Sequence, residues 1–415
     1  MKFKLTALEK RWVLYDVGNS AFILLVSTII PIYFNYLAEN ADISSVNYLA
    51  YWGYAASVAT ILVALIGPIA GTISDTKNYK KKFFLLSIGI GIAGCIILGF
   101  IHSWIWFLGI FIITKVGYSS ANIFYDSMLT DITVPERMDK VSSHGYAWGY
   151  IGSCIPFIAS LGLVLGAGKL GLTMTQAMAM AFCIVAAWWL ASSLPLIKNY
   201  RQTYYVEKTG NAAMESFGRL FQTLKDMKRQ KHIFMFLLAF FFYIDGVYTI
   251  IDMATAYGTS LGLNTTGLLL ALLLTQIVAF PCVLIFARIA QKQDTTRLIT
   301  ICIVAYLGIT LFAMQLDSQL EFWILAVCVG MFQGTVQALS RSFFAKIIPP
   351  DKSGEYFGIL DICGKGASFL GTILVSFISQ LTGKVNLGVG ALAIMFILGL
   401  IFFRKAAKLT KELQT

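Results

Sequence analysis

The stretch Gly117-Tyr-Ser-Ser-Ala-Asn122-Ile-Phe-Tyr125-Asp126, followed by Val134-Pro135-Glu136-Arg137, has a counterpart 215 residues further on. There, Gly330-Met-Phe-Gln333 runs through Gln337-Ala-Leu-Ser340-Arg341 to Pro349-Pro350-Asp351-Lys352. In each copy an apolar segment studded with polar residues ends in a proline–acid–base turn, and a segment rich in small residues follows. The offset is close to half of the 415 residues, so the chain reads as two similar halves. Parallel repeats of six helices are a known architecture of membrane carriers.

Composition says what surrounds these segments. The chain is 58% hydrophobic and 13% charged, whereas a soluble domain is nearer half apolar and a quarter charged. A membrane span needs about 20 apolar residues. Apolar windows bounded by charges and turn residues predict twelve spans: 12–38, 49–74, 83–103, 104–130, 142–167, 174–197, 232–259, 263–287, 297–316, 320–347, 354–380 and 385–404. The run after Lys2, Lys4, Lys10 and Arg11 reads as a retained first span and not as a cleaved signal peptide. The expected fold is therefore an all-α integral membrane protein with two parallel six-helix halves, residues 1–197 and 232–415. The second half ends in a short basic tail, and a linker, 198–231, joins the two.

The net charge of +11 could suggest nucleic acid, but its placement points to topology instead. With both termini cytoplasmic, 27 of the 32 basic residues fall in cytoplasmic segments, as the positive-inside rule asks. Only Lys169 and Lys384 fall in predicted external loops. Within the linker, Met214, Phe217, Leu220, Phe221, Leu224 and Met227 recur at helical spacing. They predict an amphipathic helix lying along the inner membrane face. The seven cysteines sit singly in apolar runs and read as small buried hydrophobes.

Ionisable residues inside a span are costly, and by default they mark functional sites. Here they are Asp16, Lys115, Asp126, Asp245, Asp252, Arg341, Asp361 and Lys365. They concentrate in spans one, four, seven, ten and eleven, while spans three, six, nine and twelve have none away from their ends. Such a distribution fits helices that share a central polar path.

At these residues the chain resembles the major facilitator superfamily, and within it the group related to the fungal vacuolar amino-acid effluxers of autophagy. The matching stretches are Leu14-Tyr15-Asp16-Val-Gly18-Asn19-Ser20, Asn122-Ile-Phe-Tyr125 and Asp245-Gly246. Longer matches are Gln333-Gly334-Thr-Val-Gln337-Ala-Leu-Ser340-Arg341-Ser342 and Phe357-Gly358-Ile-Leu-Asp361-Ile-Cys-Gly364-Lys365. The loop Gly71-Thr-Ile-Ser-Asp75 is similar to the superfamily's signature after span two, though Asn78-Tyr79-Lys80-Lys81-Lys82 replaces its usual glycine–arginine portion. The corresponding loop of the second half has Gln291 and lacks the aspartate. The resemblance implies a major facilitator fold, alternating access and amino-acid export. Fold transfers across such similarity better than substrate does.

Candidate substrate or proton ligands are Asp16, Asn19, Lys115, Asn122, Tyr125, Asp245, Gln333, Gln337, Asp361 and Lys365. Asp245 reads either as a proton or substrate-cation site or as a carboxylate paired to a neighbouring helix. Asp361 and Lys365, four apart, form either an intrahelical pair or a site in which Lys365 holds a substrate carboxylate. Gating candidates are Asp75, Asp126, Asp252 and Arg341, with Asp126 and Arg341 at equivalent positions of the halves as a cytoplasmic latch or a static pair. Glycines 145, 149 and 152 read as packing positions. No nucleotide, metal or cofactor motif is present in the sequence, and none is expected.

The functional expectation is a secondary, proton-coupled carrier of small polar solutes, amino acids first, and not an enzyme. It would act as a monomer in a bacterial plasma (inner) membrane, with solute, protons and lipid as partners and no nucleic acid. A drug/proton antiporter and a non-transporting membrane receptor are the alternatives.

Overall fold

A computed structural model describes residues 4–207, 212–227 and 229–413. Within its helices, the side chains of residues 45–46, 48–50, 212–217, 224, 227, 255–256, 265–266, 269 and 365–369 lie outside that description. Helix α1 (Ala7–Leu24) opens on a capping box in which Thr6 and Glu9 satisfy each other's backbone N–H. It passes through a π-turn, Leu25–Ile29, into α2 (Ile30–Glu39). Pro31 has no N–H to offer the regular ladder, and Ile30 instead donates to Leu25 O five residues back.

The chain continues as α3 (Ser45–Ser74), α4 (Lys80–Leu98), α5 (Trp104–Ser127), the short α6 (Leu129–Ile132), α7 (Pro135–Gly166) and α8 (Met174–Asn199). After α9 (Ala212–Met227) come α10 (Lys231–Ser260), α11 (Thr265–Ile289), α12 (Thr295–Ala313), α13 (Gln319–Ile347), α14 (Ser353–Thr382) and α15 (Val385–Glu412). Capping boxes at Thr173/Gln176 and Ser318/Glu321 start α8 and α13. Gly383, at φ +67°, ends α14 in the left-handed conformation that glycine adopts without strain.

Among the described residues, eleven helical segments are long and apolar enough to cross a membrane. The 30-residue α14 is additional to these, with Leu370–Thr382 as its described apolar part. Large apolar side chains such as Leu65, Trp106, Ile155 and Phe377 are exposed, as lipid-facing positions would be.

The earlier helices pack among themselves, α1 on α7 and α8, and α5 on α3 and α4. So do the later ones, α10 on α14 and α15, and α13 on α11 and α12. Contacts between the two sets run through α3 with α14 and through α7 with α11 and α13. Helices α3 and α14 meet backbone to backbone: a Cβ at Gly71 would lie 2.2 Å from Gly354 O. Glycine at both positions is what permits that approach.

Helix α9 caps the end of α3, with Arg219 Nη2 donating to Thr72 O at 3.2 Å. Its Thr223 is buried and its Phe221 exposed. The side chains of Met214, Phe217, Leu224 and Met227, counted toward the amphipathic face, lie outside the described residues.

Candidate functional site

Helices α1, α5, α7, α10, α13 and α14 converge on a polar cavity of about 320 Å³. Its floor is built around Arg341 of α13, which is buried. The guanidinium donates to Asp126 Oδ1 (2.8 Å), Asp16 Oδ2 (3.3 Å), Ser142 Oγ (2.9 Å) and Ser142 O (3.0 Å). It also lies over the rings of Tyr146 (4.4 Å), Trp12 (4.6 Å) and Tyr125 (5.5 Å). A planar cation can stack and donate in its plane at once, which a lysine cannot do. Two carboxylates and three rings thus hold one charge that lipid could not solvate.

The carboxylate partners are held in turn. Trp12 and Tyr125 stack at 4.4 Å, with Trp12 Nε1 donating to Tyr125 O and Tyr125 OH donating to Trp12 O. Asn19 donates to Asn122 Oδ1 at 2.7 Å, tying α1 to α5 a turn further along. A Cβ at Gly145 would sit 2.4 Å from Asp16 Oδ2 and 3.0 Å from Arg341 Nη2, so this glycine is the space the ion pair occupies.

Asp16, Asn19, Asn122, Tyr125, Asp126, Gln337, Arg341 and Asp361 all line this cavity, together with Tyr118, Tyr146 and Tyr248. Among the described side chains, Gln333, Lys115, Asp245 and Asp252 do not line it. Gln333, one turn from Gln337, opens on a separate, mainly apolar cavity of about 70 Å³ among α10, α11 and α13. Asp245 is buried between α10 and α14, where Oδ1 accepts from Gly371 N–H (3.0 Å) and Thr249 Oγ1 (3.2 Å). Lys115 is half-buried, 5.8 Å over the Phe111 ring, and within electrostatic reach of the exposed Asp252. The Lys365 side chain lies outside the described residues.

Beyond the floor, at one end of the bundle, both sets of helices are bolted together. Asp75 accepts the N–H groups of Gly354 (2.8 Å) and Glu355 (2.8 Å), so it sits on the N-terminus of α14 where a helix favours an anion. Lys80 Nζ lies 3.6 Å from Asp75 and 3.4 Å from Asp131, and donates to Ser353 Oγ at 2.8 Å. Burial pushes the Asp75 carboxyl up to about 7, against the pull of Lys80 and of the two backbone donors. Asp131 also accepts from Tyr200 OH (2.6 Å) and from the N–H groups of Thr203 and Tyr204.

A second bolt centres on Asp139 of α7, which accepts from Ser342 Oγ (2.6 Å), Thr295 Oγ1 (2.7 Å) and Lys346 Nζ (2.5 Å). The sequence alone does not mark Asp131, Asp139, Ser142 or Gly145 as functional. Asp131 and Asp139 stand in loop-proximal, charge-rich stretches that read as ordinary membrane-boundary residues. Serine and glycine carry no signal until their neighbours are known. The signal that the sequence does carry is Arg341 itself, since a buried arginine calls for aromatic and acidic company.

The chain matches the family described as vacuole effluxer Atg22-like over residues 8–411. It is 40% identical to an uncharacterised MFS-type transporter, YxiO, of Bacillus subtilis (strain 168), covering 97% of this chain and 95% of the relative. It is also 26% identical to autophagy-related protein 22 of Saccharomyces cerevisiae (strain ATCC 204508 / S288c), over 81% of this chain and 69% of that one. Among solved structures, the proton:xylose symporter XylE of the major facilitator superfamily superposes with a TM-score of 0.70 at 14% identity, covering 96% of this chain and 94% of XylE. The helical fold and the matched length together place the chain in the vacuole effluxer Atg22-like family, among the multi-pass membrane transporters of the major facilitator type.

Proposed function

We propose that the protein is a proton-coupled secondary transporter of small polar solutes, with amino acids as the favoured class, working by alternating access. The observation that carries this reading is the polar cavity between the two sets of helices, open beyond a floor in which Arg341 of one set is paired to Asp16 and Asp126 of the other. Charges that span the dividing surface can be made and broken as the sets rock, and buried pairs are poor candidates for static stabilisers.

In this reading α14 is the eleventh of twelve spans, residues 1–197 and 232–415 are the two six-helix halves, and 198–231 links them. Both termini face the cytoplasm of a bacterial inner membrane, and the protein acts as a monomer. The bolted end, rich in Lys and Arg, is then cytoplasmic, and the cavity faces outward. Asp75, Asp126 and Arg341 act as the inner gate; Asp252, with Lys115 beside it, stands at the outer mouth. The solute meets Asn19, Asn122, Gln337 and Asp361 within the cavity.

The test is counterflow of each radiolabelled L-amino acid by the purified protein in proteoliposomes, with and without an imposed pH gradient. Exchange of one or more amino acids, stimulated by the gradient, is the expected result. Absence of exchange across the whole panel rejects amino acids as the substrate class. The apolar cavity beside Gln333 supports a second reading, a drug/proton antiporter, which predicts exchange of lipophilic cations in place of amino acids.

A further inference from the structure

Asp245 stands apart from the ion-paired floor. It is fully buried, and among the described residues its two hydrogen bonds, from Gly371 N–H and Thr249 Oγ1, arrive at Oδ1. Oδ2 is buried with no hydrogen-bond partner among the described residues. A carboxylate spreads its charge over both oxygens and would leave half of it unsolvated here, at a cost of several kcal/mol. A neutral carboxylic acid costs less in the same geometry: Oδ1 is the carbonyl oxygen that accepts both bonds, and Oδ2 carries the proton.

Among the described residues, no neighbouring ionisable side chain offers the missing countercharge. On α10 itself stand Tyr243, Tyr248 and, two turns on, Asp252. Helix α15 meets α10 here with Phe396, over Gly246. Helix α13 brings Arg341, already committed to Asp16 and Asp126. Helix α14 carries Asp361, which lines the solute cavity, Cys363, and Lys365, whose side chain lies outside the described residues.

Two further features suit a group that exchanges its proton. Asp245, Thr249 and Asp252 lie at i, i+4 and i+7, one stripe along α10 that leads from the buried acid past a hydroxyl to an exposed carboxyl. Gly371 leaves α14 close enough to seal the acid, since a Cβ there would lie 2.6 Å from Asp245 Oδ1 and 2.1 Å from Thr249 Oγ1. Any parting of α10 and α14 opens that seal.

We infer that Asp245 is a proton-carrying site separate from the solute cavity, loaded in this conformation and released when α10 and α14 part. Its role in coupling rests on the transporter reading; its protonation does not. The deciding measurement is the infrared difference spectrum between wild type and Asp245→Asn, both reconstituted in lipid at neutral pH. The expected difference contains the C=O stretch of a protonated carboxyl. Carboxylate bands in its place overturn the proposal.

Should Asp245→Asn not fold, Thr249→Val keeps the test alive. Losing one donor to Oδ1 shifts the protonated C=O stretch to higher frequency, and an unshifted spectrum overturns the proposal. In proteoliposomes supplied with a mixture of radiolabelled L-amino acids, Asp245→Asn is expected to retain counterflow while accumulation driven by a pH gradient falls to parity. Retained accumulation removes Asp245 from coupling. If wild type moves no amino acid at all, the amino-acid reading fails while the infrared result stands.

Discussion

Arg341 Nη1 donates to Asp126 Oδ1 at 2.8 Å, joining residues 215 apart that occupy equivalent places in the sequence repeat. The contact does more than neutralise charge, because the same guanidinium also reaches Asp16 and Ser142 and is stacked among three aromatic rings. Its energetics govern the first prediction.

Arg341→Ala strands Asp16 and the partly exposed Asp126 at the cavity floor, and breaking such a pair costs at most about 3–5 kcal/mol. The expected outcome is a large drop in thermal unfolding temperature and loss of transport. Arg341→Lys keeps the charge and loses the fork and the stack, so its transport is expected to fall nearly as far. Wild-type flux in Arg341→Lys proteoliposomes would show that charge alone suffices.

Gly145→Ala puts a methyl group where Asp16 Oδ2 and Arg341 Nη2 lie. Overpacking of this kind costs about 1–3 kcal/mol. Gly162, on the same helix, has open space where a Cβ would go, so Gly162→Ala is the control and is expected to leave stability and transport near wild type. Equal effects of the two substitutions in a thermal-shift and flux comparison would contradict the assignment of Gly145.

Asp75 carries a pH dependence whose sign can be worked out. Its carboxyl is raised to about 7 by burial against α14, whereas once exposed it titrates in the ordinary carboxylate range. The closed, folded form therefore binds a proton more tightly than the open or unfolded form. That contribution is present at low pH and is lost as pH rises through about 7. Thermal stability is expected to decline between about pH 4 and 7, and Asp75→Asn should flatten this slope. An unchanged slope in Asp75→Asn would assign the dependence elsewhere.

Asp294 offers a contrast between two bonds of one side chain. It pairs with Lys411 at 2.7 Å on an exposed surface and also caps α12 by accepting Thr296 N–H at 3.0 Å. Exposed pairs are worth about 0–1 kcal/mol, while an N-cap aspartate is worth about 0.5–2 kcal/mol. Asp294→Ala should therefore destabilise more than Lys411→Ala in paired unfolding measurements. Equal losses in the two variants would assign the whole effect to the ion pair and none to the cap.

By itself the sequence determined the helices, the membrane setting and which helices turn a polar face inward. These are one-dimensional properties: a run of apolar residues long enough to cross lipid needs no partner to be recognised, and a charge within it must be solvated by protein. The spacing of Asp16, Asp126 and Arg341 within their runs already set them on helices that share a polar interior.

What only the tertiary structure decided is which inward face meets which neighbour. Gln333 and Gln337 share one helix a turn apart, yet they open on different cavities. Asp245 reads from sequence either as a proton or substrate-cation site or as a carboxylate paired to a neighbouring helix, and only the structure shows it sealed against Gly371 away from the ion-paired floor. Asp75 is a loop residue until the N-terminus of α14 arrives above it. Gly145 is a packing position until the pair it must clear is seen. In each case the decisive quantity is a rotation or approach of whole helices, set by side chains hundreds of residues apart, and no local pattern encodes it.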